Sequence, residues 1–98
     1  MAAILESSDI DSVRFSATKF REGYSQSGVD DFLQVAKKAL ASYETRGQLT
    51  AAPALTGDDV VNVRFQPTKF RAGYDQDEVD TFLDRIVVAL RQHQAAAS

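Results

Sequence analysis

At 98 residues, with 44% hydrophobic and 26% charged side chains, the chain has the balance of a folded globular protein, and it lacks any apolar run near the ~20 residues that a membrane span needs. A net charge of -3 and a pI near 5.0 argue against general nucleic-acid binding, which relies on a basic field to displace counterions. The absence of cysteine excludes disulfides, thiolate metal sites and a cysteine nucleophile, and suits the cytoplasm.

The opening Met1-Ala2-Ala3-Ile4-Leu5-Glu6-Ser7 has neither the basic start nor the extended apolar core of a secretory signal. Ser7-Ser8-Asp9-Ile10-Asp11 then reads as one or two helical turns, with Ser ahead of acids that favour the positive end of the dipole. A connector without a clear period follows, holding Phe15, Phe20 and Gly23, and the glycine is expected at positive φ in a tight turn. A long helix is predicted over about residues 26–45, with Val29, Phe32, Leu33, Ala36, Leu40 and Tyr43 on one stripe. Its cap is only half made, because Ser25 is followed by Gly28. Arg46 to Pro53 reads as a helix stop and linker.

The pattern then restarts. Thr56-Gly57-Asp58-Asp59-Val60 predicts a second short helix, and Phe65, Pro67, Phe70 and Gly73 a second connector, in which Pro67 biases Gln66 towards extended backbone. Asp75 followed by Glu78 resembles a capping box at the start of a helix over about 76–94. Val79, Phe82, Leu83, Ile86, Val87 and Leu90 form its stripe, and Gln92 to Ser98 is expected to fray.

The restart is a duplication. At an offset of 50, Val13-Arg14-Phe15 matches Val63-Arg64-Phe65 and Thr18-Lys19-Phe20-Arg21 matches Thr68-Lys69-Phe70-Arg71. Gly23-Tyr24, Val29-Asp30 and Phe32-Leu33 match Gly73-Tyr74, Val79-Asp80 and Phe82-Leu83 in the same register. The expected organisation is a first repeat over 1–46, a linker over 47–56 and a second repeat over 57–98. The expected fold is all-α: two units of short helix, turn and long helix, with the long helices paired as a short coiled coil or small bundle. Val29, Phe32, Leu33 and Leu40 would face Val79, Phe82, Leu83, Ile86 and Leu90 across that pairing. The direction of pairing is open. A parallel pair requires the chain to return along roughly 30 Å of helix, which a linker of about a dozen residues can span.

The residues Phe-x-x-x-x-Phe-Arg-x-Gly-Tyr-(Asp/Ser)-Gln-x-x-Val-Asp-x-Phe-Leu, present over about 9–43 and again over 59–90, resemble the N-terminal domain of the bacterial DivIVA family. The tandem arrangement resembles its actinobacterial repeat-containing members. The resemblance implies a short helix, an exposed turn and a long parallel coiled coil, with recruitment to curved membrane at septa and poles, where such proteins organise cell division or polar growth. Carried over by position, the lipid-facing residues would be Phe20 with Arg21 and Phe70 with Arg71, beside Lys19 and Lys69. Without the long tail of the scaffolds, the resemblance implies an accessory role. The implied partners are an anionic membrane surface on the cytoplasmic side, or a DivIVA-like scaffold or division protein bound without lipid, together with self-association.

Each singled-out group has a plainer reading beside it. Phe20 and Phe70 either wedge into lipid between flanking cations or plug a small core beside Tyr24 and Tyr74, whereas Phe15 and Phe65 belong to the core. Arg14, Lys19, Arg21, Arg64, Lys69 and Arg71 form either two membrane-facing clusters or ordinary solvated surface. Asp30 and Asp80 are explained by the helix dipole rather than by acid or base chemistry. His93, the only histidine, has no second ligand or relay partner. No catalytic constellation, cofactor loop or metal set is present in the sequence, so the chain reads as non-enzymatic, with no cofactor and no nucleic-acid partner.

Overall fold

The computed structural model describes residues 5–19, 21–44 and 55–97. The chain forms a helix at Ser7–Ser12 (α1), strands at Ala17–Thr18 (β1) and Gly23–Tyr24 (β2), and a long helix at Gln26–Glu44 (α2). The second repeat gives Gly57–Val61 (α3), Pro67–Thr68 (β3), Gly73–Asp75 (β4) and Gln76–Ala97 (α4). The last helix passes the expected end near 94 and runs on to Ala97.

The all-α expectation is corrected here: the connectors carry a four-stranded antiparallel sheet in the order β1-β4-β2-β3. Strands of two or three residues show no alternation that could be read in advance. Their pairing also joins different repeats, because Ala17 faces Tyr74, Tyr24 faces Pro67, and Tyr24 faces Tyr74 at the centre. Gly23 and Gly73 are buried inside these strands without the left-handed φ expected of them. The glycines are needed for close approach, since a Cβ on Gly23 would lie 2.7 Å from the Tyr74 carbonyl oxygen.

Local capping starts the helices. Thr56 Oγ1 accepts from the Asp59 N–H at 3.2 Å while the Thr56 N–H donates to Asp59 Oδ2 at 3.0 Å, a reciprocal box. In the first repeat Glu6, not Ser7, is the N-cap, and its N–H donates to Asp9 Oδ2. Asp75 accepts from the Glu78 N–H at 3.1 Å, but Glu78 turns away from its own cap to accept from the Ser16 N–H. That half of the expected box is spent on holding the other repeat.

The long helices run parallel. Both begin at the sheet, and their C-terminal parts meet where the Tyr43 and His93 rings stack at 4.9 Å. Val29, Leu33, Ala36 and Leu40 of α2 and Val79, Phe82, Leu83, Ile86 and Leu90 of α4 are buried in one core, with Phe32 packed on its edge. Each stripe is covered by the other long helix and also by a short helix, α1 along α2 and α3 along α4. Glu44 accepts from Ser7, and Gln94 accepts from Gly57, so both short helices dock at the C-terminal ends of the long ones. The return along the bundle is therefore made by α3 and the extended residues after it; of the expected linker, residues 47–54 lie outside the described residues.

Equivalent contacts lock the repeats together from both sides. Tyr24 Oη donates to Asp80 at 2.9 Å and Tyr74 Oη to Asp30 at 2.8 Å, while Phe15 packs on Tyr74 and Phe65 on Tyr24, each at 5.3 Å. Burial, with the Asp80 carboxylate beside it, pushes the Tyr24 hydroxyl from 10.0 up to about 12. The Asp30 hydrogen bond, with burial, raises Tyr74 as well. A phenol whose folded pKa is raised favours the folded state below the unfolded pKa and loses that contribution as pH rises through the folded one. Stability is thus expected to fall between about pH 10 and 12, and the double variant Tyr24→Phe/Tyr74→Phe should flatten that fall in urea titrations followed by circular dichroism. An undiminished alkaline slope in the variant would assign it to other groups.

Candidate functional site

Strands β1 and β2 belong to one repeat but are separated by β4, and β3 and β4 are likewise separated by β2. The turns joining them, residues 19–22 and 69–72, must therefore cross, and they touch: the Phe70 N–H donates to the Lys19 carbonyl at 2.9 Å. This crossing brings Lys19 and Arg21 of one turn to the Lys69-Phe70-Arg71 turn of the other at the sheet end of the molecule.

Phe70 is the exposed point of the crossing. Its φ is +66° and its side chain is 72% exposed, the most exposed large apolar residue among those described. A non-glycine residue in this region costs on the order of 1–3 kcal/mol and persists only where its surroundings enforce it. Here the bond to Lys19 and the flanking strands enforce it. The Lys69 ammonium lies 5.4 Å from the Phe70 ring centroid, a cation–π contact. Phe70 is thus outside the core, whereas Phe15 and Phe65 are packed against it. The sequence assignment of Phe20 lies outside the described residues.

The cations around Phe70 are not equivalent. Arg21 is ion-paired with Asp75, whose carboxylate is 10% exposed and also caps α4. The position equivalent to Asp75 is Ser25, so Arg71 has no matching acid. Among the described residues, Lys19, Lys69 and Arg71 are exposed and make no ion pair, while Glu22 is the one acid in the turns. Arg14 and Arg64 do not join this group. Their Nη1 atoms donate back to Val13 and Val63 carbonyls just beyond the short helices, at 2.7 and 2.9 Å, which places them on the flanks.

Two grooves occupy those flanks at equivalent positions. One, of about 490 Å³, is lined by Val60, Val61, Arg64, Asp80, Asp84 and Val87 among others. Its counterpart, of about 460 Å³, contains Ile10, Asp11, Arg14, Asp30, Gln34 and Tyr74. Asp30 and Asp80 are engaged by tyrosines of the opposite repeat rather than standing free, a role that within-repeat reasoning did not reach. Among the described residues there is no cluster of His, Cys, Asp or Glu able to hold a metal ion, and no helix is long and apolar enough to cross a membrane. No family model, curated protein or solved structure matches this chain.

Proposed function

We propose that the chain is a non-catalytic, DivIVA-like module that attaches to an anionic membrane surface through its crossed Lys-Phe-Arg turns, peripheral to the inner face at septum or pole and accessory to division or polar growth. The observation that carries this reading is Phe70: an aromatic ring held out into solvent at positive φ, between Lys69 and Arg71 and next to Lys19. An apolar ring ringed by cations combines insertion with attraction to anionic headgroups, each cation contributing about 1 kcal/mol near such a surface. Among the described residues, three cations without an ion pair and the Phe70 ring give a weak, reversible attachment. The alternative, an adaptor that pairs its helices with a larger coiled-coil scaffold, has less support because the stripes it would use are already buried.

Flotation with phosphatidylglycerol-rich vesicles at low salt tests the proposal. The native chain should float, Phe70→Ser should stay with the free protein while keeping its helical circular dichroism, and added salt should release the native chain. Native protein that ignores the vesicles at low salt, or Phe70→Ser that floats as well as native, would overturn it.

A further inference from the structure

The duplication supplies an internal control: a surface the fold needs should look alike in both repeats. One surface does not. Where α1 meets α2, Asp11 and Lys37 close the seam with an ion pair at 2.8 Å, and Lys38 stands beside them in solvent. The equivalent positions on α3 and α4 are Val61, Val87 and Val88, of which Val61 is 53% and Val88 54% exposed. Gln34 is likewise replaced by Asp84, whose carboxylate makes no hydrogen bond or ion pair among the described residues. The first repeat demonstrates that the fold accepts a charged seam here. An apolar seam left open to water beside an unpaired acid is a surface suited to a partner.

The partner that fits is apolar at its point and cationic on its flanks, and the molecule carries such a feature in its own Lys69-Phe70-Arg71 turn. We infer that the groove of the second repeat, floored by Val60, Val61 and Val87 and edged by Asp84, receives the Lys69-Phe70-Arg71 turn of a second copy of this chain. The Phe70 ring would leave water for the valine floor, and Arg71, which lacks an acid of its own, would meet Asp84. The corresponding groove of the first repeat is a poor receptor, because Gln34 stands where Asp84 would be and the Asp11 of its lining is already paired with Lys37. Donor turn and acceptor groove are different surfaces, so the contact is heterologous and leaves an acceptor free on one copy and a donor free on the other. Such a contact extends head to tail, into open chains or, where the rotation closes, into rings. The inference does not depend on lipid, although the same turn serves in both readings and anionic vesicles should compete with assembly.

Sedimentation velocity of the full chain without vesicles, over a range of protein concentration at low and high salt, tests it. The native chain should show a mass that climbs with concentration and falls with salt. Val61→Lys and Phe70→Ser should each weaken association by about tenfold or more, and Val61→Lys should still float with vesicles because it leaves the turn intact. A reversed pair, Asp84→Lys with Arg71→Glu, should recover association that Asp84→Lys alone loses. A native chain that stays monomeric throughout overturns the inference. So does association lost in Val61→Lys but kept in Phe70→Ser, which would set the valine seam against its own copy. Failure of flotation alone would count against lipid attachment and leave this contact standing.

Discussion

Alanine at Gly23 or Gly73 is expected to destabilise the protein by about 3 kcal/mol, the upper part of the range for overpacking a closed site. At Gly23 the added Cβ would lie 2.7 Å from the Tyr74 carbonyl oxygen and 2.8 Å from Thr18 Cγ2. At Gly73 it would run into Thr68 Oγ1 and lie 2.9 Å from the Tyr24 carbonyl oxygen. Among the described residues Thr68 Oγ1 has no hydrogen-bond partner, but the carbonyls belong to the paired central strands and cannot move without opening them. The natural comparison is Gly28→Ala, where the new Cβ finds only ordinary contacts starting at 3.7 Å in the first turn of α2. That change removes backbone freedom from the unfolded chain and should stabilise by about 0.5–1 kcal/mol. Urea denaturation of the three variants, followed by circular dichroism, should therefore give shifts of opposite sign. Equal small effects at all three glycines would mean that the strands are not packed as closely as described.

The helices were legible because each is long enough to show its period. Val29, Leu33, Ala36 and Leu40 repeat at three and four residues, as do Val79, Leu83, Ile86 and Leu90, and all eight are buried. The sheet was not legible, since Ala17–Thr18 and Pro67–Thr68 are too short for alternation and find their partners in the other repeat. Missing the sheet had consequences for the site. Lys19, Arg21, Lys69, Phe70 and Arg71 could be named from sequence, but not that the turns cross, nor that Asp75 holds Arg21 and leaves Arg71 unpaired. Glu78 misled for the same reason, as its spacing to Asp75 suggested a local box and its carboxylate serves Ser16 across the repeat boundary. The seam at Val61 and Val88 was open to discovery from sequence: aligning the repeats places valines against Asp11 and Lys38. Only the structure, however, distinguishes an exposed valine from a core one.

The interlocking also fixes how the protein should fail. Leu90 is fully buried in the same core as Leu40, its equivalent in the other repeat, and Leu90→Ala is expected to cost about 2–5 kcal/mol through lost burial and the cavity left behind. For a small domain with a stability of about 5–15 kcal/mol, that is a large fraction. If the repeats were independent units, the loss would fall on the second alone and urea would melt it first. They are not built as independent units: β1 hydrogen-bonds to β4, β3 to β2, and each repeat's tyrosine donates to the other's aspartate. Melting α4 removes β4 from between β1 and β2 and takes away the partner of Phe15 and Asp30. Leu90→Ala and Leu40→Ala should accordingly each give one cooperative transition at a lower urea midpoint, with the slope of the native protein. Helical circular dichroism and tyrosine fluorescence should coincide in each, because Tyr24 and Tyr74 sit at the centre of the sheet. Two separated transitions in either variant would show that one repeat survives without the other, and with that the crossed turns would lose the rigid platform that presents Phe70.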